Sequence, residues 1–171
     1  GKGSVARKRQ ALLAAVRGAD GGKTIVYCGT RRAAEETAAA VAAAGHTSVV
    51  YHAGRSDRTE AQEAFSTGRA QVVAATNAFG MGVNVPDVRL VVHADIPGSL
   101  ENYLQEAGRA GRDRAQARCV LLYTSDDVER QHGMSASSRL SQRDIQSVLR
   151  ALRQLQRKKD RSQALVATSG E

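Results

Sequence analysis

Five short, near-continuous apolar runs punctuate the first 123 residues, at 24–28, 48–51, 71–75, 88–92 and 118–123. Runs of this length, rich in Val and bounded by Gly or polar residues, predict strands buried on both faces. The segments between them carry helical spacing. Residues 4–17 place Val5, Leu12, Leu13 and Val16 on one side, Thr30 stands where it can cap an Ala-rich helix ending at Gly45, and residues 57–66 and 99–107 also read as helices. Strands alternating with helices predict one parallel α/β sheet, and such sheets hold ligands at the carboxyl ends of their strands.

A length of 171 residues suits one domain with room for a small appendage. No apolar run approaches the ~20 residues of a membrane span, so no membrane partner is expected. Cys28 and Cys119, the only cysteines, both lie in apolar runs. They predict buried thiols in a reduced, cytoplasmic protein, and two cysteines cannot build a four-cysteine zinc site.

Charge separates the appendage from the rest. Residues 1–129 hold 16 basic and 14 acidic side chains, whereas residues 130–171 hold nine and three. The expected layout is a domain over 1–130, a Ser-rich linker over 131–138 and a basic amphipathic helical tail over 139–171. In that tail Ser141 and Asp144 resemble a capping box, and Ile145, Val148, Leu149, Leu152 and Leu155 form a stripe interleaved with arginines. The stripe fits either a brace packed on the domain or a helix offering arginines to phosphates.

Four segments can carry chemistry. In Gln105-Glu-Ala-Gly-Arg-Ala-Gly-Arg-Asp113, Arg109 and Arg112 stand three apart beside small residues, as a polyphosphate clamp would require. The guanidinium stays charged at any working pH, so it suits charge developing on a transferring phosphoryl group. In Ala75-Thr-Asn-Ala-Phe-Gly-Met-Gly-Val-Asn84, Gly80 and Gly82 could let backbone N–H groups face phosphate, with Thr76 and Asn77 beside them. Cys28-Gly-Thr-Arg-Arg32 leads a strand into a helix whose first N–H groups suit an anion. Tyr51-His-Ala-Gly54 puts His52 at another strand end, although a lone His is more often structural. Gly1-Lys-Gly-Ser4 lacks the spacing and the preceding strand of a phosphate-binding loop.

Taken together and in this order, the four segments resemble the second motor domain of a superfamily 2 helicase, most closely the RecQ family of DNA helicases. The resemblance runs over residues 20–128 and includes Val91-Val-His-Ala-Asp-Ile-Pro97. It implies a RecA-like three-layer domain with a mainly parallel sheet flanked by helices. By the same resemblance, Arg109 and Arg112 match the arginines of motif VI, at least one of them an arginine finger, and Gln105 opens that motif. Thr76, Gly80, Met81, Gly82 and Asn84 match motif V, which links nucleotide to DNA. Arg31 and His52 match segments near the DNA backbone, with Asn77 beside them. The implied cofactors are ATP and Mg²⁺, bound mainly by a first RecA-like domain that this chain does not contain. The implied partners are that domain and single-stranded or partly duplex DNA. RNA helicases of the DEAD-box type differ at 77, 81 and 105. A non-catalytic nucleic-acid-binding module of the same fold, or half of an RNA helicase, are the competing readings. Two departures stand out: position 114 is Arg where the family usually has Gly, and no cysteine follows Cys119 to build the family's zinc subdomain.

On this reading the chain is half of an engine. An arginine finger alone positions neither the β- and γ-phosphates nor the metal. The purified chain should therefore release no phosphate from ATP above a protein-free blank, with or without single-stranded DNA, in a malachite-green assay.

Overall fold

The computed structural model describes residues 2–124, 127, 146, 150 and 164–168. The elements run α1 (Lys2–Gly18), β1 (Lys23–Tyr27), α2 (Arg31–Ala43), β2 (Ser48–Tyr51), α3 (Arg58–Ser66), β3 (Val72–Ala75), β4 (Val88–His93), α4 (Leu100–Ala107), β5 (Arg118–Tyr123) and β6 (Ala164–Thr168). The strands form one sheet in the order β2-β3-β1-β4-β5-β6, every pair parallel.

Side chains of the inner strands alternate between two cores, because successive residues of a strand point to opposite faces. Val26, Val72, Leu90, Val92, Val120 and Leu122 meet Leu12 and Val16 of α1 and Ala34 and Val41 of α2. Ile25, Tyr27, Val73, Ala75 and Val91 meet Phe65 of α3 together with Phe79, Val83 and Val85. Phe65 and Phe79 are fully buried and meet edge to face at 5.9 Å. Burying each ring contributes about 1.5–3 kcal/mol. The three residues Phe79, Val83 and Val85 belong to no helix or strand. The irregular segment between β3 and β4 thus covers the second face where α3 and α4 leave it bare.

Local capping follows the sequence. The Thr30 side chain accepts a hydrogen bond from Ala33 N at the start of α2, and Ser99 does the same for Asn102 at the start of α4. The tail expectation needs correction at its end. Gln146 and Arg150 are helical. Residues 164–168, read as part of a helical tail, form β6 instead, with Cys119 opposite Ala164 and Tyr123 opposite Thr168. The free edge of β5 presents a row of unpaired backbone groups, and a parallel partner satisfies them. The apolar, Val-containing sequence of β6 suits that role. The linker expected at 131–138 and the rest of the tail lie outside the described residues.

The Arg114 departure has a local cost. Arg114 sits at φ +68°, in the left-handed region, as its N–H closes the turn onto Gly111 O at 2.9 Å. A side chain there costs about 1–2 kcal/mol, and glycine gives part of that back as extra freedom of the unfolded chain. Arg114→Gly should raise stability by about 0.5–1 kcal/mol in urea unfolding. An unchanged midpoint would show that Arg114 makes compensating contacts.

Candidate functional site

Crossovers from β1 and from β4 leave in opposite directions along the sheet, so a crevice opens between the carboxyl ends of these two neighbours. A cleft of about 550 Å³ lies there, lined by Gly29, Thr30, Asn77, Asp95, Pro97 and Asn102, with Tyr27 and His93 also on its wall. Asp95 accepts a hydrogen bond from Gly29 N at 2.8 Å, and Lys8 of α1 reaches Asp95 at 3.5 Å and Asp127 at 2.9 Å. Burial raises the Asp127 carboxyl, but the Lys8 ammonium and the Thr124 groups outweigh it and hold it below the ordinary carboxylate range.

The expected DNA-side residues gather at this edge. Arg31 is exposed in the first turn of α2, its guanidinium close over Gly54. Asn77 is exposed and Thr76 half-buried, the Thr76 N–H donating to Tyr51 O at 3.2 Å. His52 differs. It is 4% exposed, its Nε2 pairs with Glu35 Oε1 at 3.0 Å, and its Nδ1 accepts from Gly54 N at 3.2 Å. Both ring nitrogens are occupied, and the ring holds the 52–54 turn beneath Arg31.

The motif VI and motif V segments meet elsewhere. Residues 76–87 leave the carboxyl edge of β3, cross the sheet face and enter β4 at its amino end. There Gly111 N donates to Val88 O at 2.9 Å and Asp113 N to Pro86 O at 3.0 Å. An Asp113–Arg89 ion pair ties the same loop to β4. The two arginines do not share a face as their spacing suggests. Arg109 turns inward, with Nη2 donating to Gly80 O at 2.6 Å and Nη1 to Val83 O at 3.2 Å. Arg112 is exposed, and its Nε donates to Gly108 O at 3.3 Å.

This docking changes the meaning of Gly80. Its φ is +137°, and a Cβ there would overlap the Arg109 guanidinium. The room left by the missing side chain is taken by Arg109, where the sequence suggested an approach for phosphate. Gly82, at φ +75°, stands in open space, and Met81, Asn84 and Gln105 are exposed, Met81 at 91%.

Beneath Arg109 lies a group that motif spacing did not single out. Tyr27 donates its hydroxyl to Phe79 O at 3.3 Å and stacks on His93 with centroids 5.4 Å apart. His93 Nε2 pairs with Glu106 Oε2 at 2.8 Å. Burial pushes the Tyr27 phenol well up, with the Arg109 charge pulling against it and Glu106 adding to it. The only signal in the sequence was His93 at the end of an apolar run. Burial also raises Cys28 and Cys119 to about 11 each, so neither is a thiolate nucleophile at neutral pH. Among the described residues no three of His, Cys, Asp or Glu converge to hold a metal ion.

A parallel sheet with this order, joined to a glycine-arginine loop, is the architecture of a helicase motor half. Residues 7–114 match the family described as helicase conserved C-terminal domain, and the chain belongs to that family. Within it the chain is RecQ-like. It is 46% identical over 116 residues to the putative ATP-dependent DNA helicase Q1 of Caenorhabditis briggsae, covering 66% of this chain and 19% of that protein. It is also 46% identical over 114 residues to the ATP-dependent DNA helicase RecQ of Pasteurella multocida, covering 66% and 18%. The chain thus spans about a fifth of the length of these curated relatives. Among solved structures, S. cerevisiae Dbp5 bound to RNA and ADP BeF3 matches with TM-score 0.65 and 19% identity, over 96% of this chain and 39% of that one. At that identity the likeness is one of fold.

Gly80→Ala should destabilise the domain by roughly 2–4 kcal/mol, from backbone strain plus two buried carbonyls stripped of Arg109. Gly82→Ala should lose only about 1–2 kcal/mol, for the left-handed backbone. Equal losses in urea unfolding would show that Arg109 is not docked on Gly80 in solution.

Proposed function

We propose that this domain is the second motor half of an ATP-dependent 3′–5′ DNA helicase, in a longer, cytoplasmic protein, and that Arg112 is its arginine finger. The observation that carries this reading is the division of labour within the pair. Arg109 directs both Nη groups at the Gly80 and Val83 carbonyls, while Arg112 is exposed, its Nε on Gly108 O and its guanidinium reachable by an anion from outside the domain.

The residues present fit one side of a nucleotide. A permanently charged, exposed guanidinium suits the outer oxygens of a polyphosphate, but no lysine loop cradles phosphates and no carboxylate cluster among the described residues suits Mg²⁺. On this reading the first motor domain holds ATP and Mg²⁺, and hydrolysis there drives unwinding. This chain orients Arg112 toward the phosphates through the turn that Arg109 and Asp113 brace. It offers the carboxyl edge, with Arg31, Thr76 and Asn77, to a single DNA strand. The segment 76–87 joins the two places, as it begins at that edge and ends under the arginine loop.

In the longer protein, Arg112→Ala should cut the kcat of DNA-stimulated ATP hydrolysis by roughly 10³–10⁵-fold, the range of arginine fingers in other nucleotide hydrolases, with ATP affinity little changed. Arg109→Ala should also lose turnover, accompanied by a lower melting temperature, since two buried carbonyls lose their donor. Near-native turnover in Arg112→Ala would overturn the assignment.

A further inference from the structure

Contacts beneath the arginine loop close into a ring. From the end of β1, the Tyr27 hydroxyl donates to Phe79 O, one residue before Gly80. Gly80 O and Val83 O receive the Arg109 guanidinium. Arg109 N donates to Glu106 O at 3.3 Å as α4 unwinds, and the Glu106 carboxylate pairs with His93 at the end of β4. His93 stacks back on Tyr27, and on its other side lies 4.9 Å from the ring of Tyr103.

The ring has two unusual features. His93 is 1% exposed and the Glu106 side chain 13%, so the pair is anchored in the core from the His93 side, and removing Glu106 leaves a buried imidazole without its partner. In addition, His93 Nδ1 and Arg109 Nε are buried with no hydrogen-bond partner. Native structures leave few such atoms, because each forfeits the hydrogen bond it would make in water. Its position is equally specific. Tyr27, His93 and Glu106 line the carboxyl-edge cleft, and Glu106 O also accepts from Arg109 N where the turn that presents Arg112 begins.

We infer that Tyr27, His93 and Glu106 are positioning residues that set the arginine turn from the carboxyl edge of the sheet. This rests on the finger role proposed for Arg112 and adds residues that contact neither phosphate nor DNA. The Glu106 carboxylate, paired with buried His93, holds the last turn of α4 against β4. The Tyr27 hydroxyl holds the motif V segment at the residue before the arginine's own anchor. Together they fix both walls against which Arg109, and with it residues 109–112, is seated.

The test uses the longer protein, with ATP and oligothymidine as probes. Glu106→Ala should lower the kcat of oligothymidine-stimulated ATP hydrolysis by at least about tenfold, as expected when a reacting geometry is misplaced by a fraction of an ångström to an ångström. KM for ATP and Kd for the oligonucleotide should stay within about twofold, and Glu106→Gln, which can still hydrogen-bond His93, should recover most of the turnover. Tyr27→Phe removes one hydroxyl and should lower kcat severalfold, with less than additive loss when combined with Glu106→Ala. Unchanged kcat in a folded Glu106→Ala protein, or strictly additive losses, would overturn the inference. Should Glu106→Ala fail to fold, Tyr27→Phe decides alone, and native kcat there overturns it. Arg112→Ala is assayed alongside. Full activity in that variant sinks the finger assignment itself, whereas a dead Arg112→Ala beside an active Glu106→Ala sinks only the positioning role.

Discussion

A parallel sheet has to be covered on both faces, and here regular structure covers only one of them well. On the face of α1 and α2, two long helices bring Leu12, Val16, Ala34 and Val41 down on the strands. On the other face α3 and α4 are short, of nine and eight residues. The gap is closed by residues 76–87, which have no repeating backbone hydrogen bonds of their own. Phe79, Val83 and Val85 supply the apolar cover, but carbonyls go down with them. Buried carbonyls need donors. Arg109 provides two, and in doing so joins the segment that begins at the carboxyl edge to the loop that carries Arg112.

That arrangement explains why two arginines three residues apart behave so differently. One is docked on the fold and the other is exposed. The Gly80 backbone is bent to φ +137° to accept the first, and the Gly108–Asp113 turn is pinned to Pro86 and Val88 to display the second. A structural bond and a chemical group thus share one short motif. A change at Arg109, Gly80 or Tyr27 therefore reaches the turn that carries Arg112 through packing.

The carboxyl edge is built by other means. Asp95 is held by a backbone N–H and by Lys8, a residue of α1 far away in the chain. His52 is locked by Glu35 and supports the turn under Arg31. The exposed groups there, Arg31 and Asn77, are presented by neighbours that are themselves fixed. This edge and the arginine turn lie toward opposite ends of the strands, and the segment 76–87 and strand β4 are the two covalent paths between them.

Much of this was legible from residue order alone. Strands predicted at 24–28, 48–51, 71–75, 88–92 and 118–123 fall on β1 to β5 within a residue or so, because a strand buried on both faces leaves a near-continuous apolar run. Thr30 as a cap was visible for a similarly local reason, and the family resemblance rests on motifs contiguous in the chain. β6 was not legible: four apolar residues and a threonine after a basic stretch show no period until the free edge of β5 is there to receive them. Nor was the inward turn of Arg109, since spacing says which residues are neighbours on a helix but not which of them must satisfy a distant carbonyl. The buried His93–Glu106 pair and its contact with Tyr27 join residues 13 and 66 positions apart. Local sequence determined the elements, their order and the chemistry available. Only the tertiary structure decided which arginine is spent on the fold and which stays exposed, because that choice depends on burying an irregular segment between strands brought together by the sheet.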